Sequence, residues 1–145
     1  MWKKIGLSLA LLSSFLVGCN DDKPKGIDTT SNPEKVAVAF FNALYNEKDV
    51  KKAAAVCTPK LRRIILHYKS TSAVGRHVFN MSYDEVIVKP DDSGVKVREQ
   101  FKEKAVITLY FNGTYNGEIQ KDVKRISVIQ KDDRWYIDKL LKDPF

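Results

Sequence analysis

Cysteine and histidine are nearly missing: two of each in 145 residues. A structural zinc site takes four such ligands at close spacing, and His67 and His77 stand ten positions apart with no cysteine beside either. No metal site and no cofactor are expected. Glycine and proline are sparse, seven and five, and the Gly-x-Gly-x-x-Gly and Gly-Lys-Ser/Thr patterns that cradle phosphates do not occur. Gly-x-Ser-x-Gly, which presents an activated serine, is absent as well. Long hydrophobic runs are missing: the longest, Ile5 to Val17, falls short of the about 20 residues of a spanning helix. Lysine and arginine outnumber aspartate and glutamate by 25 to 18, yet the signs are interleaved, as in Lys102-Glu103-Lys104 and Lys131-Asp132-Asp133-Arg134. That pattern reads as a solvated lysine-rich surface, not a basic block.

What is present begins at the N-terminus. Lys3 and Lys4 precede the apolar run, which ends at Leu16-Val17-Gly18-Cys19 and turns polar at once with Asn20, Asp21 and Asp22. A short apolar segment with a positive head and a small residue at its end is an export signal. An ordinary secretory signal that happens to hold a cysteine is the alternative. Leu16-Val17-Gly18-Cys19 resembles the lipobox of bacterial lipoproteins. The resemblance implies that residues 1–18 are removed by cleavage between Gly18 and Cys19. It also implies that Cys19 carries acyl chains that partner a membrane outside the cytoplasm. Each buried methylene contributes about 0.8 kcal/mol and one chain holds only marginally, so two or three chains would anchor for good. Asn20, not aspartate, follows the cysteine, which by the same resemblance implies the periplasmic face of the outer membrane in a Gram-negative host. In a Gram-positive host it implies the outer face of the only membrane. Export argues against nucleic acid as a partner. Loss of Lys3 and Lys4 lowers the formal charge from +7 to +5, which leaves weak attraction to anionic headgroups open. With Cys19 lipidated, Cys57 is unpaired. A buried structural thiol is expected in the helical stretch after Lys51, an intermolecular disulfide being the other possibility.

Residues 19–32 read as a lipidated N-terminus and flexible tether, and 33–145 as a single α+β domain. Ser31-Asn32-Pro33-Glu34 predicts a helix start, with a capping Ser or Asn, proline in the first turn and a glutamate to close the box. Val36, Ala39, Phe40, Ala43 and Leu44 follow on one face, widened by Val38 and Phe41. Asp49 caps a second helix over Val50 to Cys57, and Thr58-Pro59 starts a third, whose stripe is Leu61, Ile64, Ile65 and Tyr68. Lys60, Arg62, Arg63 and His67 fall toward solvent. After Gly75 the period becomes two: Phe79, Met81 and Tyr83 alternate with polar residues, then Val86-Ile87-Val88, a turn at Pro90 to Gly94, and Val95 and Val97. Ala105, Ile107, Leu109 and Phe111 form the clearest strand, with Val106, Thr108 and Tyr110 on its other face. Asn112-Gly113 and Asn116-Gly117 mark the next connection, Glu118 to Gln130 a long strand, and Lys131-Asp132-Asp133 the turn into Trp135-Tyr136-Ile137. Helices first and sheet second predict α+β, with a curved antiparallel meander of four or so strands.

The Phe40-Phe41-x-x-Leu44 helix, the Ala105-Val106-Ile107 strand and the ending Ser127 to Asp138 resemble the nuclear-transport-factor-2-like, or cystatin-like, fold of small uncharacterised bacterial lipoproteins. That resemblance implies helices packed in the hollow of a curved sheet, a cone. It does not imply a function. Three readings follow. A non-catalytic binding or protein-interaction module, with an envelope protein or a second copy as partner, would use exposed sheet residues such as Thr108, Tyr110 and Arg125. A small apolar-ligand binder would use a pocket lined by Phe40, Leu44, Tyr83, Leu109, Phe111 and Trp135, residues that can equally fill it. An isomerase or dehydratase would draw its acid and base from Tyr83, Asp84, Tyr110, His77 and Asp138. No motif assigns a catalytic residue, and the non-enzymatic reading is the one adopted.

Overall fold

A computed structural model describes residues 26–91, 98–101 and 103–142, with the backbone alone for 98–101. Gly18, Cys19 and the rest of the lipobox lie outside the described residues, as do the first part of the tether and Asp92 to Val97.

The first helix, α1 (Pro33–Tyr45), is capped by Asn32, not Ser31: its side-chain oxygen accepts the Lys35 N–H at 2.9 Å, and Pro33 opens the helix. Val36, Ala37, Phe40, Phe41, Ala43 and Leu44 are all fully buried, so the wide apolar arc is enclosed on more than one side. Asp49 caps α2 (Val50–Ala55) by accepting the Lys52 N–H at 2.9 Å. This helix stops before Cys57, which was expected inside it. Cys57 instead forms an isolated parallel bridge with Ile137. The Thr58 N–H donates to the Ile137 carbonyl and the Ile137 N–H to the Val56 carbonyl, both at 2.8 Å, which ties the helical layer to the last strand.

Thr58 stands at the cap of α3 (Pro59–Tyr68) but makes no side-chain cap bond; its hydroxyl lies 3.4 Å from an Asp138 carboxylate oxygen. Of the expected stripe, Leu61 and Ile65 are buried, while Ile64 is exposed. Arg62, expected toward solvent, folds back and donates to the carbonyls of Ala54, Ala55 and Cys57 at 3.1, 3.1 and 3.3 Å. The end carbonyls of α2 thus find donors.

The segment Phe79 to Asp84 is not a strand. A short α4 (Thr71–Val74) runs into a π-helical turn, Gly75–Phe79, closed by Asn80 at φ +51°. The Met81 N–H is taken by the Gly75 carbonyl, so it has no place in a ladder. The alternation of facing is correct all the same: Phe79, Met81 and Tyr83 are buried, Asn80 and Asp84 exposed.

The sheet holds β1 (Glu85–Pro90), β2 (Arg98–Phe101), β3 (Lys104–Tyr115), β4 (Glu118–Lys131) and β5 (Arg134–Leu140), every pairing antiparallel. Strands β2 to β5 follow a meander. β1 departs from it: β1 and β2 share one edge of β3, with β2 against Lys104–Ile107 and β1 against Leu109–Thr114. Two positive-φ turns, Asn116-Gly117 and Asp132-Asp133, join β3 to β4 and β4 to β5, as the twist of paired strands favours. Asn112-Gly113, expected to mark a connection, lies inside β3 opposite Ile87 and Val86. Helices followed by an antiparallel open sheet make the chain α+β. Among the described residues no helix is long and apolar enough to cross a membrane.

Candidate functional site

The six residues named for a pocket lie between helices and sheet, where they fill the layer. Phe40, Leu44, Leu109 and Phe111 are at most 1% exposed, Trp135 5% and Tyr83 6%. Phe41, absent from that set, is the reason. Its ring meets those of Phe40, Phe79 and Phe111 edge to face at 4.9, 5.3 and 4.8 Å between centroids. Such pairs contribute about 0.5–1.5 kcal/mol each beyond their buried area. Leu44 and Tyr83 also border a cleft of about 170 Å³, walled further by Lys48, Arg76, Ser82 and Tyr115.

Of the acid–base candidates, Tyr83 and Asp84 border this same cleft, while His77, Tyr110 and Asp138 do not line it. The Tyr83 hydroxyl donates to the Asp122 carboxylate, which also accepts Gln120 Nε2 at 3.2 Å. Asp122 was not singled out in the sequence; register places it opposite Phe111, on the helix side of β4. Tyr45 donates to the Met81 carbonyl at 3.0 Å and meets Tyr83 edge to face. Burial raises the pKa of both phenols well above the usual range, and the Asp122 charge raises them further. A phenol held in its neutral form is a hydrogen-bond donor and not a base. Asp84 ties its loop to the β3–β4 turn, its carboxylate accepting the Asn116 N–H at 2.7 Å and its carbonyl the Lys48 ammonium at 2.9 Å. His77 is exposed, not near a strand start, and stacks on Tyr68 at 5.2 Å. Asp138 meets Thr58 on β5, and Tyr110 is on the opposite face of the sheet. Among the described residues no three His, Cys, Asp or Glu side chains are grouped to hold a metal ion.

Apolar surface remains in water at Ile64 and Leu66 on α3 and, to a greater extent, on that opposite face. Ile119 is 76% exposed, Ile87 62%, Val123 47% and Tyr110 44%. Register sets them in rows across β1, β3 and β4: Lys89, Tyr110, Val123; then Ile87, Asn112, Lys121; then Glu85, Thr114, Ile119. Thr108 and Arg125 form the next row, and the exposed stretch ends at Ser127, which is fully buried. The sequence pointed to Thr108, Tyr110 and Arg125 only. Ile87, Ile119 and Val123 were missed, although each breaks the polar side of its strand's alternation.

No family model matches this chain, and no curated protein matches it. The solution structure of a SEC-C motif containing protein from Rhodopseudomonas palustris is similar, with 14% identity, 79% of this chain and 81% of that chain covered, and a TM-score of 0.58. At that identity the likeness is one of fold alone.

Proposed function

We propose that this chain is a lipid-anchored protein of the bacterial cell envelope whose domain is a non-catalytic binding module that works through the outer face of its sheet. The observation that carries the reading is the contrast between the two faces. The helix side is filled by rings, whereas Tyr110 and Val123 stand side by side in solvent, with Ile87 diagonal to Tyr110 and Ile119 on the far side of Lys121. Contiguous exposed apolar residues on a soluble domain mark contact surfaces. The Leu16-Val17-Gly18-Cys19 lipobox supports the anchor, and Asn20 supports the outer membrane in a Gram-negative host. The nuclear-transport-factor-2-like cone is supported by α1 packed on β1, β3 and β5 and by one β3 edge shared between two strands.

Two measurements in the native host test this. Cys19→Ser is expected to abolish palmitate labelling and processing; a substituted protein that is still labelled and still membrane-bound removes the anchor. A photo-crosslinking residue at Tyr110 of the anchored protein is expected to capture a partner, whether lipid or protein. Capture from Arg76 in the helix-side cleft and none from Tyr110 would move the working surface to that cleft.

A further inference from the structure

We propose that the outer sheet face binds the anionic phospholipid surface to which the chain is tethered. The inference rests on the reading that this face is the working one and names its partner.

The middle of the face carries lysine and its acids stand at the ends. Lys89 and Lys121 stand among Ile87, Tyr110, Ile119 and Val123, with Arg125 one row on. These two acids are Glu85 in the last row, and Asp91, whose N–H donates to the Thr108 carbonyl beside the row of Thr108 and Arg125. The acids of β4, Glu118 and Asp122, fall on the opposite parity, opposite Tyr115 and Phe111. Such a face carries positive charge next to exposed aliphatic and tyrosine side chains. The cores of protein interfaces are depleted in lysine. A headgroup layer suits the mixture better: apolar tips enter the interface, lysine stems lie along them, and the ammonium groups reach lipid phosphates. A second copy packed face to face would oppose these lysines to one another.

The tether supplies the second argument. The described chain starts at Gly26, and the Thr29 carbonyl accepts the Trp135 N–H at 2.9 Å, which pins the entry to the start of β5. Cys19 lies seven residues before Gly26. At about 3.5 Å per extended residue, that span reaches no more than about 25 Å. A domain of this size has a radius of gyration of about 13 Å, so the tether is no longer than the domain is wide. The domain cannot leave the bilayer surface, and rotation alone brings the outer face to it.

The test uses residues 20–145, which lack the lipid. Every buried core residue among the described residues lies between Val36 and Ile137, and residues 20–145 keep all of them. Co-sedimentation is measured with phosphatidylcholine vesicles, with and without phosphatidylglycerol. Binding is expected only to the anionic vesicles, weakened at least about tenfold in Lys89→Glu/Lys121→Glu, and weakened again in Ile119→Ser/Val123→Ser with the thermal melt retained. The control Lys51→Glu/Lys60→Glu makes the same charge change on exposed helical residues and is expected to bind as the parent does. No sedimentation with anionic vesicles overturns the proposal, and so does equal weakening in the control, which would mean attraction by net charge alone. A dimer that Ile119→Ser/Val123→Ser dissolves, or capture of a protein and not lipid from Tyr110, also overturns it. Those two results leave the outer face as the working surface.

Discussion

Gly113 is held by what a single methyl group would hit. A Cβ there would overlap the Glu85 carbonyl oxygen and stand 2.9 Å from Val86 Cα and 2.8 Å from Tyr83 Cδ1. Two of these three neighbours are backbone, and neither can rotate away. Gly113→Ala should therefore push β1 off the end of β3 and cost about 1–3 kcal/mol, the usual range for overpacking. Urea unfolding followed by Trp135 fluorescence measures it, and an unchanged midpoint would mean that β1 does not approach this closely. The same glycine shows why part of the fold escaped the sequence. Asn112-Gly113 and Asn116-Gly117 are identical dipeptides four residues apart, and both carry the hairpin signal. The second one turns, with φ of +51° and +81°. The first is claimed by β1, a neighbour from much earlier in the chain, and no local pattern records that approach. Asp122 was hidden for the same reason, since its partner Tyr83 is 39 residues away.

The helical elements were more legible, because their signals are local. Asn32 and Asp49 cap α1 and α2 as their residue types suggest. The misread element, Phe79 to Asp84, shows the limit. Alternating burial follows from any chain that runs along a core, whereas a strand also needs a ladder partner, and the π turn has already taken the Met81 N–H. Arg62 was misplaced because its partners lie on another helix. α2 spans six residues, far too few to persist alone, so the bonds from Arg62 to the Ala54 and Ala55 carbonyls at its end, and to the Cys57 carbonyl just beyond, are part of what holds it. A lysine cannot reproduce the forked geometry. Arg62→Lys should cost about 1–2 kcal/mol and raise amide hydrogen exchange in Ala53–Cys57 well before that of β3. Equal protection of both segments in parent and variant would show that packing alone ends α2.

At the scale of the whole molecule, α+β order was legible from helix signals giving way to period-two stretches. Which residues of β1 and β4 face water was not, because facing depends on register. The filled layer also imposes a pH dependence. Cys57 is fully buried with its sulfur 3.4 Å from the Ala53 carbonyl, and burial raises its thiol pKa far above the usual range. In the unfolded chain a thiol ionises near 8.5, and tyrosines near 10. Below the thiol value folded and unfolded chains bind the same protons at these groups, and their contribution to stability is complete. As pH rises past about 8.5 the unfolded chain releases the Cys57 proton while the folded chain keeps it. Stability must then fall, by at most about 1.4 kcal/mol per pH unit for each such group. Tyr45 and Tyr83, also raised by burial, join the decline above about pH 10. For residues 20–145 the urea midpoint should therefore be flat through neutrality and begin to drop near pH 8.5. Cys57→Ala lowers the plateau through the small cavity it leaves, but it should delay the start of the drop to about pH 10, where the tyrosines take over. If parent and variant begin to lose stability at the same pH, the Cys57 thiol titrates freely, and the bridge between Cys57 and Ile137 does not seal this corner of the core.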